Sequence, residues 1–197
     1  MNVVIIKYNA GNIRSVDFAL KRVGIEPKIT DNHDAIRSAD RVIFPGVGEA
    51  SSAMKYLKER NLDELIVNLT QPVLGICLGM QLMCSHSEEN DTECLNIFQQ
   101  KVHKFPEKDV KIPQIGWNNI YNLKTGLFRG ISEQEYVYFV HGYYVEKCEH
   151  SIALADYGLE YSAAIHKDNF FAVQFHPEKS GKTGQKIMEK FLSPSLL

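Results

Sequence analysis

The sequence lacks any long apolar run: the first, Val3–Ile6, stops at Lys7. That is far short of a signal peptide's apolar segment or of the about 20 residues a membrane-spanning helix needs. It also lacks a charge excess, since 22 Lys and Arg stand against 24 Asp and Glu, a formal net charge of −2 with His neutral. With no Lys/Arg cluster to follow a phosphate backbone, neither nucleic acid nor an anionic membrane is expected as a partner. Cysteine is sparse. Four in 197 residues are too few for the disulfide framework of a small secreted domain, so they are read as thiols and the cytosol as the expected location. No repeat, low-complexity tract or linker rich in Pro, Gly and Ser divides the chain, and one domain over residues 1–197 is expected.

What is present is an alternation. The first half reads as a strand at Val3–Lys7, a helix carrying Val16, Ala19, Leu20 and Val23 and ending at Gly24, and a strand at Lys28–Thr30. A short helix at Asp34–Ala39 and a strand at Arg41–Phe44 follow. Helical stretches at Glu49–Arg60 and Leu62–Leu69 come next, then a buried strand at Val73–Ile76 running into a helix at Leu78–Met83. Such a rhythm predicts an α/β fold, a mostly parallel sheet with helices on both faces. The second half is aromatic and strand-like at Lys101–Phe105, Asn119–Leu123, Glu135–Val140, Ser151–Asp156, Ser162–His166 and Phe170–Phe175, which predicts antiparallel strands. A last helix at Thr183–Leu192 should pack back on the sheet.

The strongest local signal is Gly75-Ile76-Cys77-Leu78-Gly79, a nucleophile elbow between a buried strand and a helix. Glycines on either side let the sharp turn close while the thiol projects, and the free N–H groups of the helix start favour the reactive thiolate. A thiolate nucleophile wants an imidazole, and Gln174-Phe175-His176-Pro177-Glu178 supplies one. Pro177 biases His176 towards an extended backbone, on which the His176 and Glu178 side chains would leave on the same face. His176 is therefore the expected base and acid, and Glu178 the group that fixes its tautomer. Pro45-Gly46-Val47-Gly48, beyond the third strand, and the Leu78 N–H would supply donors for an oxyanion. Other signals fail. Ser180-Gly181-Lys182-Thr183 lacks the leading Gly of a phosphate loop, and Cys84 and His86 have no second ligand pair, so no metal and no cofactor is expected.

Gly75–Gln81 and Phe175–Glu178, about 100 residues apart, resemble the class I (triad) glutamine amidotransferases. Further matches narrow the resemblance to the glutaminase subunits of imidazole glycerol phosphate synthases. These are Asn12-Ile13-Arg14-Ser15-Val16, Pro45–Gly48 with Ala53-Met54, Gly116-Trp117-Asn118, Tyr138-Phe139-Val140-His141 and His176–Ser180. The resemblance implies a flavodoxin-like fold and hydrolysis of glutamine through a γ-glutamyl thioester on Cys77. It further implies delivery of ammonia to a separate (β/α)₈ barrel cyclase, which makes imidazole glycerol phosphate and an aminoimidazole carboxamide ribotide in histidine biosynthesis. Carried over by position, Gln81 binds the substrate glutamine and Glu89 meets its ammonium group. The His141-Gly142-Tyr143 backbone adds further glutamine contacts, and Val47, Gly48 and Leu78 form the oxyanion region. Asn12, Trp117, Tyr138 and Lys179 match the face turned to the cyclase; for Trp117, core packing is the alternative. The resemblance also implies an oxyanion loop whose donors turn away until partner and acceptor bind. Two departures, Lys7-Tyr8-Asn9 where Asp-Tyr-Gly is usual and Gly142 where Ser or Thr is usual, leave room for a paralogue that supplies ammonia to another synthase.

Overall fold

A computed structural model describes residues 1–107 and 110–196. The elements run β1 (Val3–Ile6), α1 (Ile13–Arg22), β2 (Lys28–Thr30), α2 (His33–Arg37), β3 (Arg41–Phe44), α3 (Ala50–Glu59), α4 (Leu62–Val67), β4 (Val73–Ile76) and α5 (Leu78–Met83). Then come β5 (His86–Ser87), β6 (Thr92–Glu93), β7 (Lys101–Lys104), β8 (Gln114–Ile120), β9 (Glu135–His141), β10 (Tyr143–Val145), β11 (Ser151–Asp156), β12 (Glu160–Lys167), β13 (Phe170–Val173) and α6 (Gly181–Leu192). A seven-stranded sheet in the order β11-β12-β13-β4-β3-β1-β2 forms the centre. Its pairs from β13 to β2 are parallel, while β12 runs antiparallel to its neighbours β11 and β13. The α/β fold expected from the alternation is therefore present, with a mixed sheet whose core is mostly parallel.

The central strands β1 and β4 are apolar and buried at every position because both faces are covered. Successive side chains leave opposite faces, so Val4, Ile6, Val42 and Phe44 pack with Ile36, Leu57 and Leu65 from α2, α3 and α4. Val3, Ile5, Ile43, Leu74 and Ile76 pack instead with Leu20 of α1, with Ile187 and Phe191 of α6, and with Phe139 of β9. Two helix starts, those of α2 and α3, are capped by side chains: Asn32 accepts from Ala35 N, and Glu49 accepts from Ser51 N and Ser52 N. Gly24, at φ 81°, ends α1 where the sequence placed its stop.

Two local expectations are corrected. The strand expected at Asn119–Leu123 lies earlier, at Gln114–Ile120, because Asn122 at φ 55° turns the chain just beyond it. The aromatic strand expected to reach Phe175 ends at Val173, and Pro177–Lys179 forms a 3₁₀ turn rather than continuing extended. The very short β5 and β6, together with β7 and β10, make a second, four-stranded sheet that strand periodicity does not announce.

Candidate active site

The parallel neighbours β4 and β13 pair Ile76 with Val173, so both chains leave the sheet at the same edge. Cys77 follows β4 immediately at φ 53°, ψ −107°, a conformation costly for any residue with a Cβ and found where function over-determines it. Its N–H is tied to Val173 O at 2.8 Å. The elbow closes only because position 79 has no side chain: a Cβ there would lie 2.0 Å from the Phe44 carbonyl oxygen.

From β13 the chain carries Gln174, Phe175 and His176 past the elbow. His176 is extended (ψ 94°) ahead of Pro177, as a residue before proline should be. The 3₁₀ turn then swings Glu178 back, and its Oε1 meets His176 Nδ1 at 2.7 Å with neither side chain exposed. The pairing expected from an extended strand thus comes from a tight turn. Half-buried Asn12 donates through Nδ2 to the same Glu178 Oε1 and lies 3.3 Å from His176 Nδ1, so its side chain enters the site rather than pointing away from it.

Burial opposes a charge on His176, but the nearby Cys77 sulfur and the Glu178 carboxylate outweigh it and push the imidazole pKa up to about 10. His176 Nε2 and Glu178 Oε2 are buried without a hydrogen-bond partner. Cys77 and His176 therefore influence each other electrostatically without a formed hydrogen bond. The sulfur donates instead to Val140 O at 3.6 Å and receives Gln174 Nε2 at 3.6 Å. Loose catalytic contacts of this kind are common before substrate binds.

Cys77 opens on a pocket of about 350 Å³ lined by Val47, Gly48, Leu78, Gln81, Glu89, Pro113, Val140, His141, Gly142 and Tyr143. All the positions expected for the oxyanion region and for glutamine lie on this wall. Gln81 Nε2 donates to Tyr143 O at 3.2 Å and to Gln174 Oε1 at 3.0 Å. Glu89 accepts the Ala50 N–H at 2.8 Å, and burial raises its pKa. His141 is kept neutral: burial pulls it down to about 4 despite a 2.7 Å contact with Tyr143 O. A larger cavity of about 660 Å³ between α2 and α4 is lined by polar groups such as His33, Arg37 and Glu64, and it holds no nucleophile.

The oxyanion region stands in a closed arrangement. The Leu78 N–H donates to Gly46 O at 3.3 Å, the Gly11 N–H to Val47 O at 3.0 Å, and the Tyr8 hydroxyl to Pro45 O at 2.5 Å. Beyond the pocket, Trp117 is 56% exposed, which removes core packing as its role. Its ring meets Tyr138 edge-on at 5.8 Å, and Lys179 Nζ lies 6.0 Å from the Tyr138 ring, so the three form one surface patch. Sequence reasoning did not single out Pro113, Val140 or Gln174. For Gln174 the sequence offers only a polar residue between the apolar Val173 and Phe175, two positions ahead of His176, which hints at burial and names no partner.

The family model described as glutamine amidotransferase class-I matches residues 4–194. The chain is 58% identical over 194 residues to the imidazole glycerol phosphate synthase subunit HisH of Bacteroides thetaiotaomicron, covering 98% of this chain and 99% of that protein. It is 48% identical over 193 residues to the protein of the same name from Haemophilus influenzae, covering 98% and 97%. Among solved structures, one described as a glutamine amidotransferase superposes with a TM-score of 0.76 at 18% identity, covering 98% of this chain and 97% of that one. A glutamine amidotransferase from Thermotoga maritima gives a TM-score of 0.63 at 18% identity over 98% and 82%. At that identity the structural likeness speaks for the fold alone.

Proposed function

The chain belongs to the class-I glutamine amidotransferase family, and from that membership we propose that it is the glutaminase subunit of an imidazole glycerol phosphate synthase. In this reading the Cys77 thiolate attacks the carboxamide carbon of L-glutamine, and the resulting oxyanion is held by backbone N–H groups of Leu78 and of the Val47–Gly48 loop. His176, protonated and oriented by Glu178, gives its proton to the leaving nitrogen, and ammonia departs from the γ-glutamyl thioester. His176 then takes a proton from water as it attacks the thioester, releasing glutamate and restoring the thiol. Gln81, Glu89 and the 141–143 backbone hold the amino-acid end of the substrate. Ammonia passes to a (β/α)₈ barrel cyclase docked on the face that carries Trp117, Tyr138 and Lys179. The cyclase consumes it in making imidazole glycerol phosphate and an aminoimidazole carboxamide ribotide.

The observation that carries the proposal is the buried 2.7 Å Glu178–His176 contact beside a strained cysteine that opens on a pocket containing Glu89. Because the Gly46 carbonyl occupies the Leu78 N–H, the 46–47 peptide must turn before the oxyanion is served, which ties turnover to partner and acceptor. The test mixes the chain with the cyclase of the same genome and measures glutamate release with and without the cyclase's ribonucleotide ligand. Strong stimulation by the ligand is expected, and Cys77→Ala should abolish glutamine-dependent synthesis while ammonia-dependent synthesis survives. Silence from a folded, associated pair, or glutamine-dependent synthesis that withstands Cys77→Ala, overturns the proposal.

A further inference from the structure

Gln174 is completely buried and absent from the pocket wall, yet its side chain joins two groups that are on it. Its backbone is fixed between strands by the bond from its N–H to Ala163 O at 2.8 Å. Its Oε1 accepts from Gln81 Nε2 at 3.0 Å, and its Nε2 donates to Cys77 Sγ at 3.6 Å.

The polarity of this chain of contacts is determined from its far end. Tyr143 O can only accept, so the group of Gln81 that faces it must be the NH₂. The second proton of that NH₂ then goes to Gln174, which must present its oxygen there and can present only its NH₂ to the sulfur. Reversing Gln81 would set its oxygen against Tyr143 O, and reversing Gln174 would set NH₂ against NH₂, both costly arrangements in a dry site. Gln81 is left with its own oxygen as the free acceptor on the pocket side. Tyr143 O is itself fixed by His141 Nδ1 at 2.7 Å, a donor because burial holds that ring neutral and the carbonyl requires the proton.

A thiol can use two kinds of neighbour, a carbonyl that takes its proton and an N–H that gives one. Cys77 has both, Val140 O and Gln174 Nε2, each at 3.6 Å. On ionisation the first loses its purpose, because the sulfur has no proton left to give, while the second becomes a charge-assisted hydrogen bond and strengthens. We infer that Gln174 is a positioning residue of the glutaminase reaction: its carboxamide N–H stabilises the Cys77 thiolate and steers it away from Val140 O, and its carbonyl locks the orientation of Gln81. The nucleophile and the glutamine-binding residue are thereby held by one side chain that touches neither substrate nor solvent. This rests on the reading of Cys77 as the nucleophile.

The test uses the chain in complex with its cyclase. Iodoacetamide alkylation is followed against pH, with the Cys77 peptide resolved by mass spectrometry from those of Cys84, Cys94 and Cys148. Gln174→Met fills similar space without a donor, and Gln174→Glu keeps the shape while placing a carboxylate beside the sulfur. Both should raise the Cys77 alkylation midpoint by about one pH unit and lower the glutaminase kcat about tenfold, while KM for glutamine should stay within about threefold in Gln174→Glu, which keeps an acceptor for Gln81, and rise about tenfold in Gln174→Met, which does not. A merely structural glutamine would move neither the alkylation midpoint nor the split between kcat and KM. If Gln174→Met does not fold, Gln174→Glu carries the comparison. Superposable alkylation profiles for wild type and the folded variant, or a change confined to KM, overturn the inference. Failure of the underlying reading looks different: wild-type Cys77 in the complex then takes no label from a glutamine-derived diazo ketone, before any variant is compared.

Discussion

The Glu178 carboxylate meets His176 Nδ1 at 2.7 Å across a single 3₁₀ turn, with neither side chain exposed. Placing the proton on Nδ1 leaves Nε2 as the ring position free to exchange a proton with Cys77 or with a leaving amine. Glu178→Gln keeps the volume but removes the charge that holds this tautomer, and kcat should fall by about 10²- to 10⁴-fold while KM changes little. The buried group of Cys77, His176 and Glu178 has a stability signature. The His176 pKa in the folded chain is raised from 6.5 to about 10, so its contribution is fully present below pH 6.5 and is lost as pH rises through about 10. The melting temperature should decline across that window, and Glu178→Gln should remove the part of the decline that Glu178 supplies, leaving the part that Cys77 supplies. An unchanged slope would remove the charged pair as its cause.

A second relationship governs the resting loop. Tyr8 donates to Pro45 O and Gly11 to Val47 O, so the peptide that must turn, Gly46–Val47, is held from both sides. Burial keeps the Tyr8 hydroxyl protonated throughout any working range, so this donor is permanent. Tyr8→Phe removes one neutral hydrogen bond, worth about 1 kcal/mol, and should raise glutamate release in the absence of the cyclase's ligand about fivefold. The fully stimulated rate should change less. A basal rate equal to or below that of the wild type would show that the anchor does not restrain the loop.

The elbow was legible because its constraint is steric and local. A position where a Cβ would lie 2.0 Å from the Phe44 carbonyl must be Gly79, and the spacing of Gly75, Cys77 and Gly79 reports it. The parallel half was legible for the related reason that strands covered on both faces become uninterrupted apolar runs such as Val73–Ile76. The β8–β9 ribbon was harder. Ile115 and Trp117 are exposed apolar residues on β8, which blurs the alternation that marks a strand, and its start was placed five residues late. Asn12 and Gln174 were not legible in their observed roles at all. Their contacts reach Glu178 and Cys77 across sequence separations of 166 and 97 residues, and no local pattern encodes such a meeting.

The exposed Trp117, paired across the ribbon with Tyr138, separates folding from docking. Trp117→Ala exposes no core, so the melting temperature should stay within about 2 °C of wild type. An aromatic anchor at an interface costs about 2 kcal/mol or more when truncated, so the Kd for the cyclase should rise about 30-fold. Calorimetric titration against the cyclase measures the second quantity and a thermal melt the first. A large melting shift with unchanged Kd would return Trp117 to a structural role.

Glu89 sits where two carboxylates share one helix start. Glu49 caps α3 through Ser51 N and Ser52 N, and Glu89 accepts the Ala50 N–H at 2.8 Å from the pocket side. Burial and the charge of Glu49 raise the Glu89 pKa while the Ala50 N–H opposes them, so its negative charge is held less easily than that of an exposed glutamate and a bound ammonium would stabilise it. Glu89→Gln can still accept from Ala50 but cannot neutralise a cation. If Glu89 meets the α-ammonium of glutamine, the substitution removes binding present equally in ground and transition states. KM should then rise about 10- to 100-fold, with kcat within about threefold. The raised pKa adds a pH signature: in the wild type, KM should climb on acidification earlier than an ordinary glutamate would allow, and in Glu89→Gln that acid limb should vanish. Steady-state kinetics of the cyclase complex across mildly acidic pH distinguishes the outcomes. A fall in kcat at constant KM would place Glu89 with the reacting atoms instead, because only an interaction gained in the transition state is lost that way.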